Sequence, residues 1–445
     1  MLWKLSKKFQ FAADNVIPDS FVFCIILTII VFVLGLIFTD ASLLAMTTHW
    51  YSGLWSMLTF AFQMSFMVIV CGAAAKASQI KKLLSKIARL PNSRPVAMVF
   101  LLLFGFASSL INWAFSLIVT PIFAIELSKN IKGLHFPLMI AAGYSTMILG
   151  QCWCPAASVY ALVATEGHFM ESVIGVLTQA ETVYNPINTI LWFFLVGVTI
   201  LIVVFTKPYA EEIVMYVDKE GETVDTDNNK KPDTFSQKMN NSKVFMWVLG
   251  IAGITNIIRS FVANGIIPSL NFNFIIFIFL TANFFLYNTP IKFVNAIKNS
   301  MKPASQVMLQ FPFYGGIMGM MSGSGLTHVL ANSLIKIATE RTLPFFAYLS
   351  ASVVNLFVPS QGGQWIVQGP IMVEVAEKMN VDLPLIINAF VYGDEATNMI
   401  QPLYVIPAIS LVGMKLKDVW GFMAFIWLFW FIVTSLGLLF LPGIM

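Results

Sequence analysis

The sequence predicts an all-α polytopic membrane protein with two inverted-topology repeats, each carrying a re-entrant helical hairpin and a broken transmembrane helix. Three observations predict it: composition, a series of apolar runs of spanning length, and short motifs that recur in the same order in both halves. Of 445 residues, 58% are hydrophobic and 11% are charged, and the mean hydropathy is +0.80. A soluble core cannot hide that much apolar surface, whereas a lipid bilayer is a solvent that accepts it. A formal charge of +4 gives no reason to expect a nucleic-acid partner.

Residues 1–19 read as an amphipathic cytoplasmic segment, LWKLSKKFQFAADNVIPDS from Leu2. No small-residue cleavage site follows, so the next apolar run is a retained helix and not a signal peptide. Apolar runs fall at roughly 20–39, 52–75, 96–125, 138–164, 187–206, 244–263, 272–288, 303–322, 343–373, 383–413 and 419–441. The runs 96–125 and 343–373 are interrupted and read as hairpins that enter and leave on one side. Those at 138–164 and 383–413 read as broken helices. The polar stretch 207–243 is a cytoplasmic linker, and 244–263 is a connecting transmembrane helix. The first repeat is thus 20–206 and the second 264–445.

The repeat itself rests on matched motifs. SLIN from Ser109 resembles SVVN from Ser352, and IVTP from Ile118 resembles IVQGP from Ile366. PLMI from Pro137 resembles PLII from Pro384, and a second proline, Pro155 or Pro402, follows at the same distance in each half. Gln63 precedes Pro137 by the same interval as Gln310 precedes Pro384, and LSKIA from Leu84 resembles LIKIA from Leu334. Charge supplies the inversion. Residues 76–135 carry eight Lys and Arg against one Glu, and the matching 323–382 carry three against four acids. The positive-inside rule then places 76–95, 126–136, 207–243 and 289–302 in the cytoplasm, with 323–342 and 374–382 outside.

The candidate site lies where apolar segments break, since unpaired backbone groups need protein or a wet cavity around them. In the first half the candidates for substrate binding are Asn112, Trp113, Ser116 and Gln151. In the second they are Asn355, Ser360, Gln361, Gly362, Gly363, Gln364 and Trp365, with Asn398 and Gln401 from the later helix. Gly362 and Gly363 would expose backbone N–H groups, and a helix restarting at Trp365 would aim its N-terminus at the break, which favours an anion. No Lys or Arg lies in these segments, so a small monocarboxylate fits better than a phosphate or a dicarboxylate. Its alkyl tail would lie against Trp113, Phe357 or Trp365. Asp394 and Glu395 are adjacent acids well inside a spanning segment, where a charge costs roughly 2.5–3.5 kcal/mol. With Thr397 they are candidates for a coupling ion, either H+ or Na+.

Other features carry less. Cys152 and Cys154 could hold a soft metal, but no His or carboxylate lies close in sequence, and buried thiols account for them. Gly315, Gly319 and Gly323 read as a helix-packing face. Ser322 and Ser324 near His328 read as a turn. No nucleophile–base pair or metal cluster falls at membrane depth, so an enzyme is not expected. The function read from these residues is a secondary transporter, its alternatives a C4-dicarboxylate exporter or exchanger and a cation/proton antiporter.

QFPFYGGIMGMM from Gln310, VPSQGGQWIVQGP from Val358, YGDEATNMIQP from Tyr392 and SLINWAFSLIV from Ser109 together resemble the bacterial short-chain fatty acid transporter family, the AtoE-like proteins. The resemblance spans essentially the whole chain. It implies a multi-pass protein of the bacterial inner membrane, with a cytoplasmic N-terminus, that takes up short-chain fatty acids. Kinship with ion transporters of inverted-repeat fold further implies a homodimer with elevator-like motion. The chain departs from the family pattern at 150–155 and at Glu395, where the resemblance leads one to expect an amide. Asp394 is accordingly the favoured coupling carboxylate.

Overall fold

Helix starts follow the prolines. Pro95, Pro137, Pro186, Pro290, Pro344, Pro384 and Pro402 each sit in a first turn, where a missing N–H costs nothing and φ is already helical. The computed structural model describes residues 1–16, 20–164, 166, 168, 170–217, 234–269, 272–359 and 361–443. Among these every regular element is a helix. The first half comprises α1 (Leu2–Val16), α2 (Ser20–Phe38), α3 (Leu43–Ser56), α4 (Leu58–Lys76), α5 (Ser78–Ile87), α6 (Arg94–Ile111), α7 (Trp113–Asn130), α8 (Phe136–Gln151), α9 (Ser158–Val163), α10 (Glu171–Ile174) and α11 (Pro186–Phe205). Short α12 (Phe235–Asn240), long α13 (Lys243–Asn264) and α14 (Ile266–Ser269) connect the halves. The second half comprises α15 (Phe272–Tyr287), α16 (Pro290–Asn299), α17 (Met301–Gly323), α18 (Leu326–Ile335), α19 (Leu343–Asn355), α20 (Gln361–Lys378), α21 (Leu383–Asn398), α22 (Pro402–Leu411) and α23 (Leu416–Phe440).

Among the described residues, Leu43–Ala74, Arg94–Ile111, Pro186–Phe205, Phe235–Asn264 and Leu416–Phe440 are long and apolar enough to cross a membrane. Cys24–Phe38, Asn273–Tyr287, Leu343–Asn355 and Pro402–Leu411 are shorter apolar helices. The second span begins well before the 52–75 read from hydropathy. Ser42 Oγ accepts from the Ala45 N–H at 3.1 Å and caps α3 at Leu43, and the polar residues Thr47, Thr48 and His49 lie within that helix.

Glycines let α3 lie directly on α17. A methyl group on Gly53 would meet the Gly315 carbonyl and the Gly319 Cα, and one on Gly319 would meet the His49 carbonyl. Such contacts fix two backbones at close range. Gly53→Val should therefore cost about 1–3 kcal/mol of stability by overpacking. The check is the melting temperature of the purified protein, and an unchanged value would contradict this account of the contact.

Two antiparallel hairpins follow from local breaks. At Asn112 the backbone is extended, with φ −167° and ψ 138°, and the chain returns with Phe104 and Phe123 rings 4.4 Å apart. Ser108 Oγ and Ser116 Oγ, 3.0 Å apart, stitch α6 to α7. In the second hairpin Gln364 Nε2 donates to the Ala351 carbonyl at 2.9 Å, and Gln368 Nε2 donates to Ser350 Oγ at 2.7 Å. The second break is shorter than the sequence suggested. α20 restarts at Gln361 and not at Trp365, since Pro359 constrains its own φ and the residue before it but not the residues that follow. Gly362, Gly363 and Gln364 thus lie in the first turn of a helix.

At the centre stand α8, buried over its whole length, and α21, buried from Leu385 to Asn398. Each is followed by a non-helical turn and a shorter helix, α9 or α22. Packing is reciprocal between the halves: α4 lies on α15 and α17 on α2, while α7 lies on α22 and α20 on α9.

The N-terminal helix α1 packs along α23. Trp3 is stacked on Phe422 at 5.8 Å, sits edge-on to His135 at 5.1 Å, and donates from Nε1 to Glu212. The Val214 N–H donates to His135 Nδ1 at 3.1 Å, so the start of the linker is docked. Residues 218–233 of that linker lie outside the described residues. Burial, helped by the nearby Lys7 charge, pushes His135 down to about 4 despite its bond to the Glu212 backbone. A histidine held below its unfolded value of about 6.5 is neutral when folded, so its contribution to stability is lost as pH falls from about 6.5 towards 4. A spin label at Lys8→Cys should accordingly gain mobility over that window. Constant mobility would show that His135 does not anchor α1.

Candidate functional site

The two hairpin tips and the two broken helices meet around a cavity of about 110 Å3. Its wall is built from Trp113 at the start of α7, Met147, Ile148 and Gln151 on α8, and Ser158 at the start of α9. The second half contributes Gln361 at the start of α20, Glu395 and Asn398 at the end of α21, and Tyr404 on α22. The volume is far below the roughly 300–1,000 Å3 of a drug-sized pocket. It suits a ligand of a few heavy atoms.

Each break is satisfied by side chains, which is why the backbone can stop being helical there. Tyr144 Oη donates to the Asn398 carbonyl at 2.7 Å, and Trp420 Nε1 donates to the Ile400 carbonyl at 2.7 Å. Gln401 Oε1 accepts from the Leu403 N–H at 2.6 Å and caps α22. On the other side Tyr160 Oη donates to Asn388 Oδ1 at 2.8 Å, and Asn188 Nδ2 donates to the Cys152 carbonyl at 3.0 Å. Cys152 and Cys154 are buried free thiols beside that turn.

Gln361 links the halves directly. Its Oε1 accepts from the Val159 N–H at 3.0 Å, and its Nε2 donates to Glu395 Oε1 at 3.1 Å. Asn398 Nδ2 donates to Asp394 Oδ2 at 2.9 Å and reaches Glu395 Oε2 at 3.4 Å. Asn355 Nδ2 lies 2.5 Å from the Asp394 carbonyl, 3.0 Å from Thr397 Oγ1 and 2.8 Å from Asn398 Oδ1. Thr397 Oγ1 donates to the Ser352 carbonyl at 2.9 Å. Tyr404 Oη donates to the Pro359 carbonyl at 2.7 Å, and its ring meets Trp113 edge-on at 5.7 Å.

Some polar atoms are left over at and beside the cavity. Gln151 Nε2, a donor on the cavity wall, is buried without a hydrogen-bond partner among the described residues. Asp394 Oδ1 and Asn355 Oδ1, both acceptors, are buried in the same condition at the α19–α21 contact. A buried orphan of this kind calls for a ligand, an ion or water. Among the described residues no Lys, Arg or His lies in the cavity wall, and Glu395 is its one carboxylate.

Of the residues singled out from sequence, Trp113, Gln151, Gln361, Glu395 and Asn398 share this wall. Asn355, Asp394 and Thr397 form the adjoining cluster behind it. Gly362 faces Ser158, with space for a methyl group at 3.4 Å. Gly363 is in the same helical turn. Asn112 Oδ1 accepts from the Phe115 N–H at 3.3 Å, so it serves the hairpin turn. Ser116 and Gln364 stitch their hairpins, Gln401 caps α22, and Trp365 is buried against Phe390 at 5.0 Å. None of these five lies in the cavity wall. Ser360 lies outside the described residues. Met147, Ile148, Ser158 and Tyr404 complete the wall unannounced by the sequence reading. Met147 could have been found one helical turn before Gln151, but Ser158 and Tyr404 lie beyond breaks that reset the helical phase.

A family described as "Short chain fatty acid transporter" matches residues 1–441 of this chain. An Escherichia coli (strain K12) protein named "Putative short-chain fatty acid transporter" is 28% identical over 443 residues, covering 98% of this chain and 99% of that one. A Haemophilus influenzae protein of the same name is 29% identical over 454 residues, covering 99% and 100%. Among solved structures, the Alcanivorax borkumensis YdaH transporter is 12% identical with a TM-score of 0.43, covering 94% of this chain and 98% of that one. MtrF of Neisseria gonorrhoeae, described with a class of antimetabolite efflux pumps, is 15% identical with a TM-score of 0.43, covering 96% and 97%.

Proposed function

Because the chain belongs to the short chain fatty acid transporter family, we propose that it is a secondary active transporter driven by a coupled cation. It takes up short-chain monocarboxylates such as butyrate and acetoacetate across the bacterial inner membrane by alternating access. The observation that carries this reading is the composition of the small cavity. Gln151 Nε2 offers an unused donor, Trp113, Met147, Ile148 and Tyr404 offer apolar surface, and no fixed cation is among the described residues of the wall. That combination suits one carboxylate on a short alkyl chain. A dicarboxylate would bring a second charge with nothing in the wall to receive it.

The absence of a fixed cation among the described residues of the wall supports coupling to a cation. Two unit charges 4 Å apart at an effective dielectric of about 20 repel by about 4 kcal/mol, so an anion beside an ionised Glu395 needs a cation with it. Asp394, Glu395 and Thr397 are the coupling-ion residues in this reading, and the orphaned acceptors on Asp394 and Asn355 support it. Either a proton or sodium would satisfy them.

The framework is a pair of inverted repeats, 20–206 and 264–445, with re-entrant hairpins whose tips meet at the substrate. Reciprocal packing of α7 on α22 and α20 on α9 supports that arrangement, as does the appearance of broken helices at matching places. The N-terminus and the 207–243 linker are cytoplasmic by the positive-inside rule. The working unit is a homodimer with elevator-like motion.

Equilibrium binding of labelled butyrate to the purified protein tests the substrate. Acetoacetate and other short monocarboxylates should displace it and succinate should not. Equal displacement by succinate would favour a dicarboxylate carrier, and absence of any organic ligand would favour a cation/proton antiporter.

A further inference from the structure

We propose that Glu395 receives the substrate's carboxylate while itself in the neutral acid form, so that each bound anion shares one proton with the protein. The inference rests on the reading of the cavity as a monocarboxylate site, and gives that site its specificity for a singly charged acid. Among the described residues Glu395 is the one carboxylate in the cavity wall, and no Lys, Arg or His is there to receive an anion in its place.

The two oxygens of Glu395 are not equivalent. Oε1 accepts from Gln361 Nε2 at 3.1 Å, a bond held from behind by the Val159 N–H on Gln361 Oε1 at 3.0 Å. Oε2 has the 3.4 Å approach of Asn398 Nδ2, whose closer partner is Asp394 Oδ2 at 2.9 Å. Oε2 is therefore the oxygen with capacity to carry a proton and present it to the cavity. An O–H donated to a carboxylate is a strong, charge-assisted hydrogen bond, and Gln151 Nε2 supplies a second donor to the same anion.

Titratable groups surround Glu395 from the neighbouring elements, and one of them, Asp394, is a second carboxyl group. These are Tyr144 on α8, Cys152 in the turn after it, Tyr160 on α9, Tyr404 on α22 and Asp394 on its own helix. α20 presents the amide of Gln361, and α7 the indole of Trp113. Phenols and thiols are uncharged near neutral pH, and Asp394, if ionised, only adds to the repulsion of an anion. No covalent bond to carbon forms or breaks. The proton comes from water on the loading side, sits between Glu395 and the substrate's carboxylate, and returns to water on release.

Two measurements on the purified full-length protein at fixed sodium test this. The first is the pH dependence of labelled-butyrate binding from about pH 6 to about pH 8.5, for wild type and for Glu395→Gln. Wild-type Kd should rise about tenfold per pH unit once the proton is no longer taken up spontaneously. The Glu395→Gln amide donates without titrating, so its Kd should stay flat across the range. The second is proton uptake by wild type in weak buffer on adding butyrate at a pH where its Kd is rising, where about one proton per bound anion is expected. Equal slopes in both proteins would overturn the inference, as would butyrate binding by wild type without proton uptake. Loss of binding in Glu395→Gln with an unchanged melting curve would also overturn it, since Glu395 would then be needed as an anion. Failure of wild type to bind butyrate at any pH would fail the substrate reading as well.

Discussion

Asp394→Asn is expected to abolish gradient-driven accumulation of butyrate while leaving the protein folded and extractable. In the wild type Asp394 Oδ2 accepts from Asn398 Nδ2 at 2.9 Å, and an asparagine oxygen can keep that bond. The other carboxylate oxygen, Oδ1, is orphaned, as is Asn355 Oδ1 on the residue that touches it. An asparagine NH2 places a donor among those acceptors, so the variant loses the titratable carboxyl without losing the hydrogen bonds that hold α19 to α21. Removing an ionisable group that has no fixed counter-ion does not by itself unfold a membrane core. Losing even 1.4 kcal/mol of ion binding would lower concentrative uptake by about tenfold. Full accumulation by this variant, with the same driving gradient, would reject Asp394 as the coupling carboxylate.

Substitutions at Gly362 are expected to separate sharply by size. A methyl group there would lie 3.4 Å from Ser158 Cβ, an ordinary contact, so Gly362→Ala should bind butyrate within about threefold of wild type. Gly362→Leu would drive a branched side chain from the first turn of α20 towards α9, beside the wall residues Gln361 and Ser158. Overpacking of that order costs about 1–3 kcal/mol, or roughly 5–150-fold in affinity. Gly362 is only half-buried, so the melting temperature should move far less than the affinity. Similar affinity for the alanine and leucine variants would remove the start of α20 from the binding site.

The all-helical membrane fold was legible because it rests on bulk quantities. Apolar runs, proline positions and turn residues act locally, and the helices begin at Pro95, Pro137, Pro344 and Pro384 as those residues dictate. Motif matching pointed to broken segments in both halves, and it brought Trp113, Gln151, Gln361, Glu395 and Asn398 into view as polar or aromatic residues at the breaks. What the sequence did not supply was orientation. Ser116 and Gln364 are polar residues at hairpin tips, as a binding residue would be, yet both bond across their own hairpins. Trp365 reads as a ligand-facing aromatic, yet it is turned into the core against Phe390. Which face of a short helix looks into a cavity depends on its phase after the break, and a single misplaced helix start is enough to rotate it. The start of α20 at Gln361 is such a case, since it moves Trp365 into the helix's second turn.

Uptake of labelled butyrate into proteoliposomes tests the central claim most directly, with inward proton and sodium gradients imposed separately. Because neutral butyric acid crosses bilayers unaided, empty vesicles and vesicles carrying Asp394→Asn run beside the wild type. The account predicts saturable accumulation above both controls, driven by at least one of the two gradients. Uptake no faster than in empty vesicles under either gradient would contradict it.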